Sequence, residues 1–366
     1  MTRKPTIVER GSAPHRVGVA VCVAVVAALV LWASSFGAFN QGQVTRVMIY
    51  AIAISGLNIA TGYTGLVSVG HSAFFGLGAY TTGILVVKHG WQAELTIPVA
   101  LVVCFLVGLV VGLPALRIRG LYLAIVTLAF GVAFPEVIAR FESITGGPQG
   151  LTIRRAMLTP PTWTGFELRD KGRWLFWLTV ALLAIVVFVV HNLVRSRWGL
   201  ALMAARDNEL AASASGVDLA LTKTVAFGVS GALTGVGGSL FAMYLGSLSA
   251  GDSFTLLNAI ALLTGLVIGG EGTRFGPILG GFAVVYIPYY TSDIGQGQAA
   301  AVLFGAVLIA IIFIAPDGIA GGFTHLARRF VVVRPPIPKP TVDPPPTGPP
   351  DVPAPAAATV SASTGT

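Results

Sequence analysis

Apolar stretches of about 20 residues recur along this chain of 366 residues, separated by short polar or Gly- and Pro-containing breaks. An α-helix of about 20 residues crosses the hydrocarbon core of a bilayer, which is roughly 30 Å thick. The stretches are continuous rather than alternating, so they are not the strands of an outer-membrane barrel. Together with a mean hydropathy of +0.81, they predict an all-α, polytopic transmembrane helical bundle of about 8–10 spans.

The breaks divide the apolar part of the chain into ten candidate spans. Their limits are about 17–39, 44–60, 65–87, 95–116, 121–139, 174–194, 222–246, 254–270, 276–292 and 298–316. We expect an N-terminal tail over residues 1–16 and a membrane domain over 17–330. Residues 331–366 form a tail in which eleven of the chain's 22 prolines lie between Pro335 and Pro355. Such a composition cannot bury enough apolar surface to fold, so this tail is predicted to be disordered.

The segment 195–223 is the most informative polar interruption, in a chain with only 10% charged residues. Placing it in the cytoplasm puts fifteen of the 23 Lys and Arg residues on the cytoplasmic side. Five of the other eight lie between Arg154 and Arg173 in the long external loop 140–173, where the positive-inside rule is weaker. The sequence therefore predicts an uncleaved first span and both termini in the cytoplasm. This topology also explains the net charge of +8 without a nucleic-acid partner.

The chain lacks the residue patterns of common catalytic and cofactor sites. It has no Gly-x-x-x-x-Gly-Lys-[Ser/Thr] loop, which is the common phosphate-binding motif. Its five histidines are scattered and have no acidic partners at metal-ligand spacing. We therefore predict no enzymatic activity, no metal site and no cofactor in this chain. Secondary carriers need ionisable groups within the membrane. Such groups are scarce in the predicted spans, which favours an uncharged pathway whose energy is supplied from outside this chain.

The segment 61–80 mixes glycines, hydroxyls, aromatic residues and one histidine, a composition unsuited to a lipid-facing helix. Helices interrupted in this way line cavities or pack against other helices. The candidates for the translocation path or its gate are Gly65, Ser68, Gly70, His71, Phe74, Phe75 and Tyr80. His71 has an equally plausible alternative role as a hydrogen-bonded packing residue.

Five stretches then carry a resemblance to a known family. They are Gly62–Tyr80, Arg119–Gly131, Thr145–Leu151, Arg206–Gly216 and Ala315–Gly321. In order and number they resemble the inner-membrane permease subunits of branched-chain amino acid ABC importers, in particular the larger of the two permease types. The resemblance covers roughly residues 45–321.

The resemblance implies a chain in the bacterial inner membrane that pairs with a second permease. Two ATPase subunits, which bind ATP and Mg, and an extracytoplasmic substrate-binding protein complete the assembly. The segment 195–223 would be the cytoplasmic coupling loop that docks on an ATPase. Its expected contact residues are Arg206, Asp207, Asn208, Glu209, Ala211, Ala212 and Gly216. Thr145, Gly146 and Gly147 begin the external loop that would receive the binding protein.

Two alternatives stay open at this stage. The same residues match relatives that carry urea or short-chain amides equally well, so the substrate is not fixed. A standalone channel or facilitator also accommodates the scarcity of buried charge, but such a protein has no need of a docking element like 195–223. A secondary carrier is less consistent with the sequence, because no carboxylate lies at the middle of a predicted span.

Overall fold

The computed structural model describes residues 6–9, 13–116, 118, 120–161, 164–294 and 331–334, and isolated positions between 302 and 322. Within these residues, helices lie at nine of the ten predicted spans. The tenth span, 298–316, falls largely outside the described residues. The predicted all-α membrane bundle is confirmed.

The helices are α1 (Ala13–Ser34), α2 (Ala38–Asn58), α3 (His71–His89), α4 (Thr96–Gly112), α5 (Leu121–Arg140), α6 (Glu142–Thr145), α7 (Lys171–Arg195), α8 (Arg197–Asp207), α9 (Glu209–Ala214), α10 (Leu219–Leu245), α11 (Ala250–Ser253), α12 (Leu256–Gly269) and α13 (Gly276–Ile294). The strands are β1 (Thr6–Glu9), β2 (Leu151–Thr152), β3 (Ser247–Leu248) and β4 (Val331–Arg334). A turn of π-helix, Ile59–Tyr63, continues α2.

Five helical segments of the described chain are long and apolar enough to cross a membrane. They are Ala38–Tyr63, Ala93–Gly112, Leu121–Arg140, Lys171–Arg195 and Leu219–Leu245. In the first and last of these, 89% of the apolar window is buried within the protein, against 33% in the other three. The helices α2 and α10 are therefore the centre of the bundle, and α4, α5 and α7 present apolar faces outward, as lipid-facing helices do.

The central helix α10 packs closely against α2, α3 and α4. Glycines make this approach possible, since a Cβ at Gly78 of α3 would overlap the carbonyl oxygen of Gly235. A Cβ at Gly238 would likewise overlap the carbonyl oxygen of Phe75. Small residues let helix backbones come close together in lipid. These glycines therefore serve helix packing.

The third predicted span begins six residues too early in the sequence-based assignment. Residues 64–70 are not helical, and α3 starts only at His71. The chain leaves α2 through the π turn, and Gly65 has a φ of +73°, which glycine adopts at low cost. Apolar composition continues through this break, so hydropathy alone does not reveal it.

Two short strand pairs lie outside the bundle. β1 and β4 pair in parallel, Thr6 opposite Val331. The first four residues of the predicted Pro-rich tail are therefore in a strand, and the remainder, 335–366, lies outside the described residues. β2 of the long external loop pairs antiparallel with β3, which follows α10, and so fastens that loop to the end of the central helix.

Candidate functional site

The predicted coupling segment, 195–223, folds as two short helices between two long ones rather than as an open loop. Ser196 and Asn208 cap α8 and α9, each accepting a hydrogen bond from an amide of the first turn, at 3.3 and 3.1 Å. Asp218 caps α10 in the same way at 3.0 Å. Such caps satisfy amides at a helix start that have no partner within the helix. These three side chains therefore define where each helix begins.

An ion pair joins the short helices to the central helix. Lys223, in the first turns of α10, lies 2.6 Å from Oε1 of Glu209 at the start of α9. The Lys223 side chain is only 4% exposed and that of Glu209 is 26% exposed. A buried ammonium needs such a partner, because desolvation otherwise disfavours the charge. Glu209 was predicted to contact an ATPase, and the structure shows that its carboxylate also holds α9 against α10.

Arg206, at the end of α8, is an exposed residue whose guanidinium contacts the bundle. Its guanidinium donates a hydrogen bond to the carbonyl oxygen of Gly62, in the π turn that follows α2. Cationic donors form strong hydrogen bonds with carbonyl oxygens. The coupling segment is therefore bonded directly to the break between α2 and α3.

Asn58 extends this connection to a second break, the loop between α12 and α13. Its Oδ1 accepts a hydrogen bond from the Gly272 amide, and its Nδ2 donates to the Thr273 carbonyl oxygen, both at 2.9 Å. Sequence reasoning missed Asn58. The signal was present, because an amide side chain near the end of an apolar span needs polar partners inside the protein.

The outward face of α8 and α9 is exposed. Leu210 is 76% exposed, and Asp207, Ala211 and Gly216 are exposed beside it. Ala212, in contrast, is only 3% exposed. Four residues therefore form what we call the α8–α9 face, and Ala212 packs on its inner side, although it was expected to ease docking.

His71 sits in a closed hydrogen-bond network. Its Nδ1 lies 2.8 Å from Ser68 Oγ and its Nε2 lies 2.6 Å from Ser230 Oγ. The Ser230 hydroxyl donates to the carbonyl oxygen of Gly56 at 2.6 Å, so it accepts from Nε2–H, and Nδ1 accepts from Ser68. This pattern corresponds to the neutral imidazole. Both ring nitrogens are hydrogen-bonded and His71 is 1% exposed. This geometry is that of a hydrogen-bonded packing residue, the alternative to a role in the path.

The two path candidates that are glycines lie at the break before α3. Gly65 has a positive φ and abuts the Arg206 side chain. A Cβ at Gly70 would overlap the Thr127 carbonyl oxygen, and Thr127 Oγ1 accepts a hydrogen bond from the Val69 amide at 3.2 Å. These positions let the non-helical segment lie directly against α5 and α8.

The aromatic candidates lie in the interior of the bundle. Phe75 stacks on Tyr50 with ring centroids 5.8 Å apart, and Tyr80 contacts Phe254 at 5.9 Å. Phe74 contacts the ring of His71 at 5.4 Å. All three candidates are at most 1% exposed. In this conformation the three rings fill the interior of the bundle.

The predicted receiving loop starts with an internal brace. The hydroxyl of Thr145 lies 2.7 Å from the carbonyl oxygen of Ile138 and accepts from the Gly147 amide at 3.2 Å. Gly146 and Gly147 have φ values of +77° and +61°. Thr145 is 4% exposed, so it shapes the loop from within.

A cavity of about 900 Å³ opens at the end of the bundle where α2 and α7 begin and α10 ends. Its lining residues are Ser34, Ser35, Phe36, Ala38, Phe39, Gln41, Gly42, Gln43, Arg169, Asp170, Lys171, Gly172, Arg173, Leu175, Tyr244 and Leu245. We call it the outer cavity. None of the seven path candidates lines it.

Residues 42–314 match the model of a family described as the permease component of the branched-chain amino acid transport system. The matched region covers α3 to α13 and all but the first four residues of α2, and it includes the α8–α9 face and both breaks. The chain belongs to this permease family. It is a non-catalytic membrane subunit of an ABC importer, so the standalone channel is excluded.

Individual relatives agree with this assignment. The permease is 31% identical over 319 residues to the high-affinity branched-chain amino acid transport system permease protein LivM of Escherichia coli strain K12, covering 81% of this chain and 73% of that protein. It is 32% identical over 297 residues to the LivM protein of Salmonella typhimurium, covering 75% and 68%. More distantly, it is 28% identical over 255 residues to the autoinducer 2 import system permease protein LsrC of E. coli, covering 66% and 70%. No solved structure matches the chain.

We expect substitution of His71 by alanine in this permease to lower stability rather than transport. Deleting the ring leaves a cavity and two buried hydroxyls without their partner, which costs about 2–4 kcal/mol. The measurements are the thermal midpoint of the purified transporter and substrate uptake per assembled complex. Ser247→Ala, at an exposed residue of β3, is the control. An unchanged midpoint with reduced uptake would contradict this and favour a role in the path.

Proposed function

We propose that this permease forms half of the path by which branched-chain amino acids enter a bacterial cell across the inner membrane. A second permease would form the other half, two ATPase subunits carrying ATP and Mg would drive it, and an extracytoplasmic binding protein would deliver the substrate. The observation that carries the proposal is the α8–α9 face, whose exposed side is free to dock while its inner side is bonded to a helix break.

Two contacts connect α8 and α9 to the bundle. Arg206 bonds to the π turn after α2, and Glu209 of α9 pairs with Lys223 of α10. Within the bundle, Asn58 links the end of α2 to the α12–α13 loop. A displacement of α8 and α9 by the ATPases would therefore reach both breaks and the central helix together. Breaks of this kind are where helices reorient most easily.

Two observations support the proposed orientation. The parallel pairing of β1 with β4 supports both chain ends lying on the same side of the membrane. The basic residues of 195–223 and of both tails then favour the cytoplasm for that side. The α8–α9 face would meet the ATPases there, and the outer cavity and the loop after α5 would face the binding protein.

The substrate class rests on the two LivM relatives, whose names specify branched-chain amino acids. The chain resembles them over 81% and 75% of its length. Urea and short amides are then the competing substrates to measure.

The test is reconstitution of the complete transporter in proteoliposomes with its cognate binding protein. We expect uptake of labelled leucine, isoleucine and valine that requires both ATP inside the vesicles and the binding protein outside. Liposomes carrying an ATPase subunit with its phosphate-loop lysine replaced are the control. Uptake without ATP, or uptake of urea or acetamide in place of the amino acids, would overturn the proposal.

A further inference from the structure

A line of side chains leads from the outer cavity into the bundle along one face of α2. Gly42 lines the cavity, and Arg46 and Tyr50 follow at intervals of four residues, which places all three on the same helix face. The Arg46 guanidinium lies 5.8 Å from the centre of the Tyr50 ring. Arg46 therefore lies one helical turn inward from the cavity.

Sequence reasoning counted Arg46 among the basic residues of the outer side and gave it no role. The structure places it within α2, partly buried in a helix whose apolar window is 89% buried. No carboxylate among the described residues forms an ion pair with it. Ionisable side chains inside membrane helices are costly and typically mark substrate or ion pathways.

Three buried polar atoms in the first turns of α2 lack partners within the part of the chain that the structure describes. They are Nε of Arg46 itself, Nε2 of Gln41 and Oε1 of Gln43, all inaccessible to solvent. Gln41 is only 5% exposed, and both glutamines line the outer cavity beside Gly42. A buried polar group without a partner is destabilising. These two donors and one acceptor suit a polar ligand that carries both a negative and a positive charge.

Acceptors and aromatic rings complete the surroundings. Tyr50 Oη lies 3.4 Å from Asn258 Oδ1, and the Asn258 amide is oriented by donating to the Ser253 carbonyl oxygen at 2.9 Å. These oxygens can accept hydrogen bonds from an ammonium group. Deeper along the same path, Tyr50 contacts Phe75 at 5.8 Å and Phe241 at 6.0 Å, which offers apolar surface for a side chain.

We propose that Arg46 binds the carboxylate of a zwitterionic, apolar amino acid as it passes inward from the outer cavity. A guanidinium can hold a carboxylate through two parallel hydrogen bonds. The Tyr50 and Asn258 oxygens receive the ammonium group, and the aromatic rings receive the side chain. This inference rests on the proposed function, because it assumes that amino acids are the substrate.

The experiment compares Arg46→Gln, Arg46→Lys and wild type in the complete reconstituted transporter. We expect Arg46→Gln to reduce leucine uptake at least about tenfold, because the charge-assisted pair is lost. Binding-protein-stimulated ATP hydrolysis should persist, so the number of ATP molecules consumed per leucine imported rises. Leucine uptake by Arg46→Lys should lie between that of Arg46→Gln and that of the wild type, since an ammonium keeps the charge but not the paired geometry.

The control is His89→Gln, which changes an exposed polar side chain at the end of α3 and should leave uptake unchanged. Two results would overturn the inference. One is wild-type uptake by Arg46→Gln; the other is wild-type uptake by Arg46→Lys, since an arginine that merely anchors the helix at the membrane interface is replaceable by lysine. If Arg46→Gln fails to assemble, Arg46→Lys alone decides. A wild-type transporter that imports no amino acid would instead refute the proposed function.

Discussion

Substitution of Glu209 by lysine is expected to abolish ATP-driven uptake by the assembled transporter. The change places a second ammonium beside Lys223, whose side chain is 4% exposed. Removing one partner of a buried ion pair costs about 3–5 kcal/mol of stability. Because Glu209 is partly exposed, we expect a cost near the lower end of this range. That cost is enough to release α9 from α10, so ATP hydrolysis would no longer move the bundle. The measurements are leucine uptake and ATPase activity of the same proteoliposomes.

The reversed pair Glu209→Lys with Lys223→Glu provides the decisive comparison. It should recover a large part of the lost uptake, because the two charges face each other again with opposite signs. Glu136→Lys, the same change at an exposed site on α5, should have little effect. If the reversed pair is as inactive as the single variant, Glu209 acts on another subunit and not through Lys223.

Substitution of Gly238 by valine is expected to prevent assembly of the bundle. Even the Cβ atom at this position would overlap the Phe75 carbonyl oxygen, a backbone atom that cannot rotate away. Overpacking of a well-packed core costs about 1–3 kcal/mol, and here two central helices must separate, so the loss is larger. The measurement is the yield and thermal midpoint of the complex extracted from membranes.

Gly37→Val serves as the matched control for that substitution. Gly37 precedes α2 with φ −59° and ψ 157°, values that valine adopts readily, and nothing lies within 4 Å of its Cβ position. Its yield should equal that of the wild type. Normal assembly of Gly238→Val would show that α10 and α3 do not approach as closely as described.

The sequence predicted the bundle well, because helix spans in a membrane follow from hydropathy alone. It expected an interrupted helix within 61–80 but placed the start of α3 six residues too early, because hydropathy does not mark where the helix resumes. The positive φ of Gly65 belongs to this non-helical segment. It also treated 195–223 as one polar loop. The capping residues Ser196, Asn208 and Asp218 indicate separate helices within it.

The candidate site was predicted less completely than the fold. The exposed positions Asp207, Ala211 and Gly216 agree with a docking face, whose role stays a prediction. The inward direction of Arg206 depends on Gly62, 144 residues away, and no local pattern encodes such a contact. Arg46 was overlooked because counting charges assigns each basic residue to one side of the membrane and gives no information on which residues it contacts.

The bonds of Arg206 and Asn58 share one property: every one of them ends on a main-chain atom, at Gly62, Gly272 or Thr273. A backbone carbonyl or amide has the same chemistry whatever side chain its residue carries, so no exchange of side chains at these acceptor and donor positions can accommodate a damaged Arg206 or Asn58. Genetic suppressors of such lesions should therefore map elsewhere in this chain or to the genes of its partners. In evolutionary terms, this connection depends on two side chains and on two glycines, since a Cβ at Gly62 would overlap Asn58 Oδ1 and Gly272 has a φ of +67°.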